Sequence, residues 1–122
     1  MMEAIRLVRL ALEQVCDDVS YLHNDGKPNY PYMTYSLTFE NRDSNKEFQK
    51  GAYLDISLYD NKLRNNERIE TVLNKLTSLF SRDFISGEGI IIRPQTFNSN
   101  ALETASSVLQ RREATIYLLI DY

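Results

Sequence analysis

Between residues 2 and 17, Ile5, Val8, Leu12 and Val15 recur at helical spacing, and Leu7, Leu10 and Ala11 widen the stripe. Arg6, Arg9, Glu13 and Gln14 fall on the other side, so the segment predicts an amphipathic helix with a broad buried face. Its end lies near Asp17 and Asp18. Asn24 to Pro31 reads as a loop by turn chemistry, and Pro28 and Pro31 prevent a helix from continuing there. From Tyr32 to Phe39 the period changes to two, with Met33, Tyr35, Leu37 and Phe39 on one face and Tyr32, Thr34, Ser36 and Thr38 on the other. Ala52 to Tyr59 repeats this, with Leu54, Ile56 and Leu58 inward and Tyr53, Asp55, Ser57 and Tyr59 outward. Two half-buried strands follow from these patterns, and as consecutive strands they are expected to pair antiparallel.

Leu63 to Phe80 returns to helical spacing, because Ile69, Val72, Leu73, Leu76, Leu79 and Phe80 share a face. Asn61 and Asn65 are both suited to cap its start. Gly87 and Gly89 punctuate the chain before Ile90, Ile91 and Ile92, a short apolar run suited to a strand covered on both faces, and Pro94 limits how far it can pair. Phe97 to Gln110, rich in Ser and Asn, reads as a long exposed loop. Ala114 to Tyr122 reads as a closing strand with Ile116, Leu118 and Ile120 inward and Thr115, Tyr117, Leu119 and Asp121 outward. The expected fold is therefore a single α+β domain in the order helix, strand, strand, helix, strand, strand, with two helices packed on one face of a four-stranded mixed sheet. A permuted ferredoxin-like arrangement is the alternative. In both, one sheet face has no helix left to cover it.

That face would show Tyr32, Tyr53, Tyr59, Tyr117 and Leu119 among small polar residues. Tyrosine beside Ser and Thr is common at protein interfaces, since the ring buries area while the hydroxyl keeps a hydrogen bond; it is also simply common in strands. A small sheet has two edges as well, which must be blunted or paired with another chain. Self-association is the preferred inference. The connection from Glu40 to Gly51 is long for a hairpin, and Arg42 and Phe48 within it are candidate contact residues, as are Arg111 and Arg112 at the start of the last strand.

The chain has 122 residues, with 14 Lys and Arg against 17 Asp and Glu, a net charge of -3. That length fits one domain able to bury a core without a disulfide or metal. The acidic balance argues against gripping nucleic acid through the whole surface, which needs clustered Lys and Arg. One cysteine, Cys16, excludes an internal disulfide and fits a reducing compartment. No apolar run approaches the roughly 20 residues that span a bilayer, and the first residues do not resemble a signal peptide, so a cytoplasmic site of synthesis is expected. Cys16 and His23, with Asp17, Asp18 and Asp25 nearby, are the nearest approach to a catalytic or metal group. The set lacks the ordered ligands of a zinc site and the third group that positions a Cys–His pair. Gly87-Glu88-Gly89 precedes a strand, whereas phosphate-binding glycine loops open a helix. No catalytic residue, metal or cofactor is expected.

An amphipathic leading helix, Pro31-Tyr32-Met33-Thr34-Tyr35 opening a strand, Tyr53-Leu54-Asp55-Ile56-Ser57-Leu58-Tyr59 running into a long helix, and an Arg-led closing strand from Arg111 to Tyr122 together form a distinctive layout. It resembles the tail-terminator, or tail-completion, proteins of long-tailed bacteriophages over nearly the whole chain. The resemblance implies a virion protein without enzymatic activity, made in the bacterial host cytoplasm. Such a protein forms a ring, typically of six subunits, that stops growth of the tail tube and meets the head connector, with DNA only as passing cargo. A head-completion or neck component and a non-viral module binding a small ligand are the alternative readings.

Overall fold

The computed structural model describes residues 2–23, 26, 29–40, 49–61, 67–102 and 110–122, with side chains described for all of these except 100–102. Helix α1 (Met2–Glu13) buries Ala4, Leu7, Val8, Ala11 and Leu12, an i, i+3, i+4 stripe, while Arg9 and Glu13 pair one turn apart at 2.9 Å on the open side. Its last turn tightens, with the Gln14 and Val15 amides donating to the Ala11 and Leu12 carbonyls at 3.2 and 3.0 Å. Helix α2 (Glu67–Leu79) carries Glu67 and Glu70 at the positive end of its dipole and buries Ile69, Val72, Leu76 and Leu79.

Among the described residues six strands form one mixed sheet that curls into a half-barrel: β1 (Asp18–Tyr21), β2 (Tyr32–Phe39), β3 (Gln49–Asp60), β4 (Ile85–Gly87), β5 (Ile90–Leu102) and β6 (Gln110–Asp121). The spatial order is β1-β2-β3-β6-β5-β4. Only the β1–β2 pair is parallel; the others are antiparallel.

This corrects the expected four-stranded sheet, for the chain is mostly strand and two short strands were invisible to patterning. β1 has four residues with Val19 alone buried, and β4 has three with none fully buried, so neither shows a period. β5 does not stop at Pro94 but runs on to Leu102, through residues read as loop. β6 lies between β3 and β5, so the second expected strand and the triple-isoleucine strand do not pair. The antiparallel pairing of β2 with β3 is as expected, from Tyr32 opposite Tyr59 to Phe39 opposite Ala52.

Alternation decides which residues meet. Met33, Tyr35 and Leu37 lie opposite Leu58, Ile56 and Leu54, and Leu54 and Ile56 lie in turn opposite Ile116 and Ala114. These side chains and the buried stripes of both helices make one cluster, in which Leu12, Met33, Leu54, Ile69, Leu76, Ile116, Leu118 and Ile120 have no exposed surface. Burying side chains of this size stabilises by about 1.5–3 kcal/mol each, so the cluster accounts for the helices' attachment. The β4–β5 hairpin turns through Glu88 and Gly89, at φ 53° and 78°, the double left-handed geometry that matches strand twist, which only the second residue adopts freely. Glu88 is tied to α1 by Arg6 at 3.3 Å.

Candidate assembly surface

Residues of opposite parity project from the sheet's other face, where no described helix lies. Register aligns them in rows across the strands. In the first row Asp18 lies opposite Tyr32, Tyr32 opposite Tyr59, and Tyr59 opposite Arg111. The Tyr32 and Tyr59 rings stack at 4.7 Å and 16°, Tyr30 tilts against Tyr32 at 5.4 Å, and the Arg111 guanidinium sits 5.6 Å from the Tyr59 centroid. Three rings and a cation thus form a continuous stack. Burial raises the Tyr32 hydroxyl pKa above its ordinary value, and the neighbouring Tyr59 and Tyr30 add to this.

Two further rows are polar. The Thr115 hydroxyl donates to Asp55 Oδ1 at 2.9 Å across β3 and β6. Tyr53 and Tyr117 then meet at 5.0 Å, Tyr53 being among the most exposed large side chains at 45%. The Tyr117 hydroxyl and the Glu40 carboxylate converge over Gly51, where a side chain would otherwise stand. At the far end Arg93 Nε donates to Asp121 Oδ2 at 2.7 Å, and Gln49 donates to Oδ1 of the same carboxylate at 2.8 Å. Leu119 lies between Gly51 and Arg93.

Of the residues singled out from the sequence, Tyr32, Tyr59 and Arg111 come together in one row, and Tyr53, Tyr117 and Leu119 fall on the same face. Arg112 does not: it lies opposite Leu58 on the helix side, with Nε 3.2 Å from Glu70 Oε1, joining β6 to α2. Arg42 and Phe48 lie outside the described residues. Tyr30, Arg93 and Glu113 were not foreseen. Glu113 is a surface partner because β6 begins early, and Arg93 because β5 lies beside β6. Both described arginines of this face hold a carboxylate, Arg93 that of Asp121 and Arg111 that of Glu113. Arg111 Nε itself is enclosed without a hydrogen-bond partner among the described residues.

Cys16 is buried, its thiol donating to the Asp18 and Pro31 carbonyls at 3.6 and 3.4 Å. Burial raises its pKa, and the Asp17 and Asp18 carboxylates reinforce this against the opposing Asp18 backbone bond. That environment suppresses the thiolate that nucleophilic chemistry needs. Among the described residues no three His, Cys, Asp or Glu side chains are grouped to hold a metal; Asp25 lies outside them. Beside Cys16 an open cleft of about 500 Å³ runs between the end of α1, Pro31 and α2, and Arg68 on its wall is held by Asp60. No described helix is long and apolar enough to cross a membrane.

No protein-family model matches the sequence, and no curated protein does. Solved structures do share the fold. One chain, known only by a sequence identifier, superposes with a TM-score of 0.67 at 13% identity over 96% of this chain and 95% of its own length. Another, from the virion of a native gene transfer agent particle, superposes with a TM-score of 0.54 at 12% identity, covering 97% of this chain and 91% of that one. At such identities the likeness is one of fold, and it extends end to end.

Proposed function

We propose that this chain is a structural virion protein of the phage type, a tail terminator or tail-completion protein that forms a ring on the tail tube and joins it to the head connector. The observation that carries the reading is the near-complete, end-to-end fold match with a chain of a gene transfer agent virion. The open sheet face supports it, with aromatic rows and polar rims of the kind that protein contacts use. A closed ring requires heterologous contacts, one surface meeting a different one on the next copy, and a sheet with two distinct edges and one open face supplies them. The internally paired arginines suit a surface that DNA passes without adhering, because counterion release needs unpaired cations. The role is assembly, not catalysis.

The test is light scattering after size exclusion, with negative-stain imaging, on the chain alone and mixed with a tail-tube protein from the same genome. A ring of fixed stoichiometry, six by expectation, bound to tube ends is the predicted result. Binding to the connector but not the tube would move the protein to the head side of the neck. A monomer in every mixture would overturn the reading, and a thermal-shift screen would then examine the α1–α2 cleft for a small ligand.

A further inference from the structure

The two edges of the sheet are notched at opposite corners. β4 covers only Ile90 to Ile92 of β5, leaving no described strand on the edge of β5 away from β6 between Arg93 and Leu102. β1 covers only Tyr32 to Tyr35 of β2, leaving Ser36 to Phe39 with no described strand on the edge away from β3. Following the register across the sheet, Leu102 is level with Arg111, Tyr59, Tyr32 and Asp18, so β1 projects from one edge at the level where the other edge is empty. At the opposite end Ile92 is level with Ile120 and Lys50, two rows beyond Phe39 and Ala52, so β4 projects just past the bare end of β2, and a neighbour staggered along the strands by a few residues brings the two side by side.

Natural sheet edges are normally blunted by charge, proline or a bulge. β5 has Pro94 and a register shift between Pro94 and Thr96, just beyond the end of β4. Past that point Gln95 to Leu102 contains no charge, no proline and no glycine. Eight uncharged residues of unprotected edge are a template for a strand.

Taking the ring reading above as its basis, we infer that successive copies join by main-chain pairing, β1 of one copy entering the notch beside β5 of the next while β4 enters the notch beside β2. The two short strands would then share one lane of a continuous intersubunit sheet. Polarity agrees. β5 runs opposite to β6, β6 opposite to β3, β3 opposite to β2, and β1 parallel to β2. A head-to-tail neighbour therefore presents β1 antiparallel to β5, the commoner pairing. The three residues of β4 match the four bare residues of β2, parallel to them. A second copy is thus the occupant that both notches fit at once.

Cysteine pairs on the outer face test this in a Cys16→Ser background: Ser20→Cys with Thr96→Cys or Asn98→Cys, and Ser86→Cys with Ser36→Cys or Thr38→Cys. Oxidation of assembled rings should give a covalent ladder up to the ring size with at least one pair from each notch. In the unsubstituted protein, hydrogen exchange of the 95–102 and 18–21 amides should slow at least tenfold on assembly; this covers the case in which the variants do not fold. Rings with neither cross-link nor protection would overturn the edge pairing and leave the ring reading standing. A covalent dimer from Asn98→Cys alone would show β5 pairing with itself, and would also overturn it. Failure of any ring to form removes both proposals together.

Discussion

Arg68, in the first turn of α2, holds both carboxylate oxygens of Asp60 at the end of β3: its Nε lies 3.0 Å from Oδ2, and its Nη2 donates to Oδ1. Asp60 has no exposed surface, whereas the Arg68 side chain is 37% exposed, so the pair spans the boundary between core and solvent. The bond to Asp60 raises the Arg68 pKa above its already high ordinary value. The helix is thereby registered on the strand that precedes it.

Arg68→Met should therefore leave a buried carboxylate without its main counter-charge. A loss of about 3 kcal/mol in urea denaturation is expected, the lower end for breaking a buried pair because water can reach the open side of the guanidinium. Arg68→Lys should recover part of this, since it keeps the charge and loses the two-pronged geometry. An unchanged midpoint for Arg68→Met would mean that Asp60 is held by its other contacts.

Gly51 is enforced by space. A Cβ there would collide with the Tyr117 hydroxyl and the Glu40 carboxylate. Gly51→Ala should cost about 1 kcal/mol, the low end of overpacking, because both colliding groups are side-chain ends and Glu40 can swing aside. Tyr117→Phe removes the nearest atom, so the double variant should be more stable than the sum of the two single losses predicts, as read from a double-mutant cycle. Strict additivity would place the clash elsewhere.

Tyr59 is the centre of the first row, stacked on Tyr32 and covered by Arg111. Tyr59→Ala should lose about 1–2 kcal/mol of stability for those two ring contacts while leaving the circular dichroism spectrum intact. If this face takes part in assembly as proposed, ring formation should need a roughly tenfold higher concentration, which corresponds to about 1.4 kcal/mol. Rings that assemble unchanged would remove the aromatic row from the contact.

The pH response follows from groups that burial pushes upward. Cys16, Tyr32 and Tyr35 all have folded pKa values above their ordinary ones, with desolvation the largest cause in each. A raised folded pKa stabilises fully below the unfolded value, and that stability is lost as pH rises through the folded value. Stability should therefore hold through neutrality and begin to fall above about pH 8.5, the ordinary thiol range, falling further above about pH 10 as tyrosines ionise. Denaturation midpoints measured alongside phenolate absorbance test the sign. Cys16 should also resist alkylation until urea opens the fold.

The elements legible in the sequence were those whose burial is periodic. β2 and β3 show alternation because one face of each meets the core, and both helices show their stripes, although α1 ends at Glu13 where the apolar spacing suggested continuation past Val15. Beyond Pro94, β5 was illegible because its order comes from main-chain pairing with β6, while the side chains from Gln95 to Ser99 are largely open to solvent. Pairing of that kind leaves no compositional trace. The outward parity of Tyr32, Tyr53, Tyr59, Tyr117 and Leu119 could be read strand by strand. That Tyr59 would lie under Arg111, or Asp55 beside Thr115, could not, because β3 and β6 are separated by half the chain and only topology makes them neighbours. Arg112 went astray for the converse reason: named with Arg111 as a contact residue, it obeys strand parity and turns inward to Glu70.

The shift between Pro94 and Thr96 admits one surplus residue, Gln95, opposite none on β6. Side-chain parity is reset there, so Arg93 and Thr96 share the outer side, while Pro94 and Phe97 line up with the inward Leu118 and Ile116. Relatives of this chain are therefore constrained in how β5 can change length. Losing Gln95 alone would join Pro94 directly to Thr96, opposite the consecutive Leu118 and Tyr117, and would leave an unbroken ladder with Phe97 still inward. Elsewhere along β5 a single gain or loss would turn every downstream side chain to the other face, so away from Gln95 only changes of two residues keep the pattern.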